Sequence, residues 1–154
     1  MVKVTAIKNV ETNFGHGLLI DIHGHAHPEH LIEIGYVLPD ETLSLPTPQI
    51  NENPDIYSGS SIRSLYTRKS NNIQFADLLY GQTTSFGGRL QSHGYATVPS
   101  HIHKYLFKDT KYFHGGYCVQ KLPRILRVGN KEKRSTFILA LSECIAWFLK
   151  EYYG

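Results

Sequence analysis

The chain has 154 residues, 41% of them apolar and 19% charged, with 16 Lys and Arg against 13 Asp and Glu for a formal net charge of +3. At this length a domain buries roughly 70% of the surface its unfolded chain exposes, so one core can hold it without disulfides or structural metal, and the weakly apolar, strongly charged composition of a disordered chain is excluded. The longest apolar runs, 137–141 and 145–149, are too short to span a membrane, and an N-terminus with no apolar stretch reads as cytosolic, which makes Cys118 and Cys144 free thiols.

Val4, Ile7, Val10 and Phe14 recur at helical spacing until Gly15 and Gly17, so the first element is a short amphipathic helix. Residues 17–23, Gly-Leu-Leu-Ile-Asp-Ile-His, follow as a continuous β-favouring run, the pattern of a central strand covered on both faces, and residues 31–38 predict a second strand. Pro39, Pro46, Pro48 and Pro54 with Asn51, Asn53 and Ser58 mark 39–60 as a long irregular loop. Short helices are expected over 61–68, 73–80 and 85–91, the last closed at His93-Gly94, then strands over 95–98 and 111–122, the latter interrupted by Gly115-Gly116. From about Ser135 onward Phe137, Leu141, Cys144, Ile145, Phe148 and Tyr152 line one face of a terminal helix, broadened by Trp147 and Leu149. Alternating helices and strands predict one α/β layered domain over 1–154.

Charge is uneven. Residues 1–103 carry six basic and nine acidic side chains, net −3, whereas 104–134 carry nine and two, net +7. Such a band attracts anions, and here Tyr105, Phe107, Tyr112, Phe113 and Tyr117 are interleaved with Lys104, Lys108 and Lys111 as in single-strand binders. A solvated face explains a short charge run more simply, and the total of +3 with no recognisable motif argues against a nucleic-acid partner.

The densest chemistry is Asp21-Ile22-His23-Gly24-His25-Ala26-His27-Pro28-Glu29-His30, four histidines at the end of a strand, where ligands gather in open α/β sheets. Asp21 and His23, two apart on a strand, face the same way, so the carboxylate can hold the imidazole in one tautomer, as carboxylates behind metal-bound histidines do. Spacing alone reads His23 first as a hydrogen-bonded core histidine, because a catalytic zinc needs three protein ligands and two are not identifiable.

The segment Leu18-Leu19-Ile20-Asp21-Ile22-His23-Gly24-His25-Ala26-His27-Pro28, with Ile32-Glu33-Ile34-Gly35-Tyr36, resembles a hallmark of the N-formylglutamate amidohydrolase family. Ser61-Ile62-Arg63-Ser64-Leu65, Ser85-Phe86-Gly87, His93-Gly94-Tyr95, Val98-Pro99-Ser100, Tyr112-Phe113-His114-Gly115-Gly116-Tyr117 and Leu122-Pro123-Arg124 resemble family positions in the same order. The resemblance implies a zinc-dependent hydrolase that cleaves N-acylated acidic amino acids. Its fold would be the three-layer αβα, mixed-sheet fold of zinc carboxypeptidases and aspartoacylase.

Carried over position by position, the resemblance makes His23 a zinc ligand with Asp21 behind it. Arg63 becomes a bidentate partner for the substrate carboxylate, although a surface ion pair on a short helix explains it equally. Gly115, Gly116 and Tyr117 become a turn where backbone approaches the ligand, or simply a β-bulge. Glu33 and Tyr36 correspond to a Glu-Leu-Gly-Tyr motif and, with His25, would shape the site; a strand-face pair is the plainer reading of the first two.

Two departures stand out. The family's earlier His and Glu zinc ligands have no counterpart, so the chain is expected to be a shortened, C-terminal version of the family domain. The segment between Tyr117 and Leu122 is also contracted, which leaves Lys121 where the family has its general-base glutamate. A lysine ammonium cannot take a proton at neutral pH, and it opposes a neighbouring dication. The expectation is therefore a catalytically incomplete amidohydrolase, with a metal- or ligand-binding pseudoenzyme as the alternative. Self-association through an exposed sheet edge would follow from a shortened sheet.

Overall fold

The computed structural model describes residues 2–25, 31–69, 72–105, 119–123 and 131–154. In chain order these form α1 (Val2–Phe14), β1 (Asp21–His25), β2 (Ile32–Ile34), α2 (Asp40–Leu43), α3 (Thr47–Glu52), α4 (Pro54–Gly59), α5 (Arg63–Lys69), α6 (Phe75–Tyr80), α7 (Phe86–Ser92), β3 (Thr97–Val98), β4 (Val119–Pro123) and α8 (Lys131–Tyr152). The described chain is thus a mixed helix and strand structure, mostly helical, around a small sheet.

The sheet has the order β1-β4-β2-β3, with β1 parallel to β4, β2 antiparallel to β4 and β2 parallel to β3. The apolar run at 17–23 was expected to form a central strand. Instead β1 starts at Asp21 and lies at one edge of the described sheet, with Ile22 46% exposed. The inner places belong to β4 and β2, and all three β2 residues are buried. A continuous apolar run signals burial, but the position within a sheet is set by pairing with strands far along the chain. Strand β2 is also shorter than 31–38: it ends at Ile34, and Val37 beyond it adopts φ +60, outside the extended region a strand needs.

Residues 39–60 are a second correction. The expected loop is three short helices that bury Leu43, Ile50 and Ile56. Pro48 and Pro54 sit in first turns, where the missing N–H costs nothing and the fixed φ suits the helix. Asn53 caps α4 by accepting from the Asp55 amide at 3.0 Å. The proline and asparagine signals were real, but they start helices here rather than break them.

The remaining helices fall close to their expected places. Ser85 caps α7 by accepting from the Gly88 amide at 2.8 Å, and Gly94, at φ +85, closes it. Helix α8 buries Phe137, Leu141, Cys144, Phe148 and Tyr152, with Phe148 edge-on to Phe86 at 5.6 Å and Phe137 edge-on to Tyr95 at 5.0 Å. Its Trp147 is covered by the Arg89 guanidinium, 4.2 Å from the ring centroid. Helix α1 exists as expected, but its stripe is not a core face, since Phe14 is 73% exposed. Among the described residues no helix is long and apolar enough to cross a membrane.

Candidate functional site

The sheet register sets sequence-distant residues side by side. His23 of β1 has Lys121 of β4 as its Cα partner, and Lys121 has Glu33 of β2 on its other side. Glu33 in turn pairs with Val98 of β3. His23, Lys121, Glu33 and Val98 therefore stand at one level, in a row across all four strands. Asp21 lies two positions before His23 and pairs with Val119. Glu33 is 3% exposed, so this part of the row lies in the interior.

A second group sits where β2 ends. The Tyr36 carbonyl accepts from Ser60 Oγ at 3.0 Å and from the Ser61 amide at 2.9 Å, which pins the start of α5 to the chain just past β2. Ser60 Oγ also accepts from the Ile62 amide at 3.3 Å. Arg63, the first residue of α5, donates from Nη1 to the Ser60 carbonyl at 3.3 Å and is otherwise exposed. Three residues of extended chain separate Glu33 from Tyr36, about 10 Å, so Arg63 approaches the row from the end where β2 finishes.

Because β1 and β4 run opposite to β2, that end is also where β1 begins. Asp21 and the Tyr36–Arg63 group thus share one end of the sheet, while His25 lies toward the other. The topology brings His23, Lys121 and Glu33 together but sets His25 and Arg63 toward opposite ends. His27 and His30 of the histidine cluster, and Gly115, Gly116 and Tyr117 of the expected ligand turn, lie outside the described residues, as does most of the basic band 104–134.

Val98-Pro99-Ser100 resembles a family position, but the sequence assigns no role to His101 and His103 in the turn after β3. Strand β3 is parallel to β2, so this turn leaves the sheet at the Arg63 end. Val98-Pro99 is a cis peptide, and Ser100 Oγ accepts from the amides of Ile102 at 3.3 Å and His103 at 3.1 Å. Gln91 of α7 braces the turn, its Oε1 accepting from the Thr97 amide at 3.1 Å and from Ser100 Oγ at 3.5 Å. This places His101 and His103 at the same end as Arg63, and Lys104 beyond them lies over the Tyr80 ring at 4.7 Å. The available signal was a His-x-His directly after Val-Pro-Ser. Topology thus sets Asp21, Arg63, His101 and His103 at one end of the sheet.

Two other candidates carry no chemistry. Burial pushes the Cys144 thiol up to about 11, so it packs as a small apolar side chain rather than a nucleophile. A concavity of about 400 Å³ against α3 and α4, lined by Leu45, Gln49, Glu52, Asn53 and Pro54, presents a single carboxylate and no base or nucleophile beside it. Among the described residues no group of three or more His, Cys, Asp or Glu side chains converges to hold a metal ion.

Comparison with family models, with curated proteins and with solved structures finds no match to this chain.

Proposed function

We propose that this chain is an N-formylglutamate amidohydrolase-like domain that binds an N-acyl acidic amino acid without hydrolysing it. The observation that carries the reading is the Cα pairing of His23 with Lys121. The motif resemblance assigns one position to the metal ligand and the other to the general base. Such a hydrolase needs those two groups within reach of one water molecule, and here they are nearest neighbours on adjacent strands, although nothing in their local sequence requires it. Glu33, a third position of the same motif set, completes the row on the far side of Lys121. A mixed sheet is one feature that the resemblance also implies.

The residues present do not fit the zinc centre of such a hydrolase. The row offers one imidazole position and one carboxylate position with a lysine between them. An ammonium there repels a dication and leaves no base to take a proton from water. What the chain retains is recognition. Arg63 supplies a fork for a carboxylate.

Titration calorimetry with N-formyl-L-glutamate, paired with an assay for released formate in the presence of zinc, tests this. Binding that weakens about tenfold or more in Arg63→Ala, with no formate released, is the expected result. Zinc-dependent formate release that disappears in His23→Ala would overturn the non-hydrolytic reading, and no binding at millimolar ligand would overturn the recognition role.

A further inference from the structure

Beyond β2 the chain continues as Gly35-Tyr36-Val37-Leu38, and Val37 is the anomaly in it. Its φ of +60 is the left-handed conformation, where a branched Cβ crowds the backbone. The surroundings account for the backbone. Tyr36 and Leu38 on either side are each 4% exposed, which anchors both ends of the segment in the core, and the Tyr36 carbonyl is turned to accept from Ser60 Oγ and the Ser61 amide. Nothing in that account calls for valine. Glycine takes the same φ without strain and asparagine with little, and burial does not offset the strain of Val37, which is 43% exposed. Strain of this kind, held in place by its surroundings, gathers at ligand sites.

The location gives the side chain a use. Arg63 Nη1 donates to the Ser60 carbonyl at 3.3 Å, and Ser60 Oγ in turn donates to the Tyr36 carbonyl at 3.0 Å. One serine therefore separates the guanidinium from the peptide that joins Tyr36 to Val37. We infer that Val37 is a specificity-determining residue, whose exposed isopropyl group packs against the methylene groups of the ligand held by Arg63 and so selects a glutamyl over an aspartyl chain. This rests on the recognition role proposed above for Arg63. A guanidinium fork fixes a carboxylate but does not measure the chain behind it. An apolar group beside the fork does, since each methylene it takes from water adds about fourfold in affinity. Valine suits that task because its branched side chain is stiff at χ1, whereas glycine has no side chain and asparagine brings a polar one.

Titration calorimetry with N-formyl-L-glutamate and N-formyl-L-aspartate, run beside urea unfolding of the full chain and of Val37→Asn, Val37→Gly and Val37→Ile, tests this. The parent chain should prefer the glutamate derivative about fourfold, for its one additional methylene. Val37→Asn should unfold at a higher urea concentration, because the strain is relieved, yet bind N-formyl-L-glutamate about tenfold more weakly and lose the preference. Val37→Gly should lose the same affinity, and Val37→Ile, which keeps the apolar bulk, should retain both affinity and preference. A purely structural role predicts the opposite for Val37→Asn, since a more stable chain holds Arg63 at least as well. Parent binding whose strength and preference survive in Val37→Asn would overturn this inference and leave the role of Arg63 standing, and so would a lower urea midpoint in that variant. Absence of parent binding at millimolar ligand would overturn both.

Discussion

Replacing Gly87 by alanine probes how α7 is seated on the sheet. Gly87 lies buried in α7, and a Cβ built there collides with the carbonyl oxygen of Pro99, comes within 3.1 Å of the Pro99 carbonyl carbon and meets Ile34 Cδ1 at 3.2 Å. Two of these neighbours are backbone, so no rotamer change relieves them. Helix and turn must separate by roughly 1 Å before ordinary contact returns. Overpacking of this kind costs about 1–3 kcal/mol, and alanine returns about 1 kcal/mol through its better helix propensity.

The high end of the range applies, because separation also loosens the Gln91 bonds to Thr97 and Ser100. The net expectation is a loss of about 2 kcal/mol, or a melting temperature lower by about 4–8 °C. Gly59→Ala is the matched control. Gly59 ends α4 with nothing within 4 Å of the new methyl, so the same chemical change should stabilise by about 0.5–1 kcal/mol. Urea unfolding of both variants measures the difference. A neutral or stabilising Gly87→Ala would refute the claim that α7 rests directly on the Pro99 backbone.

Other expectations follow from the terminal helix. Phe148→Ala removes a ring that is 5% exposed and packed against Phe86, Trp147 and Tyr152, and should cost about 3–5 kcal/mol in urea unfolding, the range for a large aromatic replaced by a cavity. The Tyr152 hydroxyl donates to the Thr84 carbonyl at 2.6 Å, and burial pushes its phenol from 10.0 up to about 12, so the folded chain holds the neutral form. Because the folded value lies above the unfolded one, this stability is intact below pH 10 and drains as pH rises from 10 to 12; Tyr152→Phe should lower stability by about 1 kcal/mol at neutral pH and flatten that alkaline loss in pH-dependent unfolding. Cys144, raised from 9.0 to about 11, adds a similar loss between pH 9 and 11. In a Cys118→Ser background iodoacetamide at pH 8 should leave Cys144 unmodified until denaturant is added, as read by intact mass.

Local chemistry was legible in the sequence, and so were the elements it dictates. The Gly94 closure of α7 and the buried stripe of α8 follow from glycine's access to positive φ and from apolar residues recurring every three or four positions. Sequence also placed Asp21 and His23 at the strand end where β1 runs. It could not supply the role of the prolines in 39–60, because proline suits a first helical turn as well as a loop, and only the burial of Leu43, Ile50 and Ile56 beneath that segment decides between them. Nor could it place β1, since a run of apolar residues states that a strand is covered but not which strands flank it.

What tertiary structure alone decided is the row His23, Lys121 and Glu33, and the separation of His25 from Arg63 toward opposite ends of the sheet. Register and strand direction are properties of pairs of segments, fixed by hydrogen-bond ladders between residues far apart in the chain. No single stretch of sequence carries them.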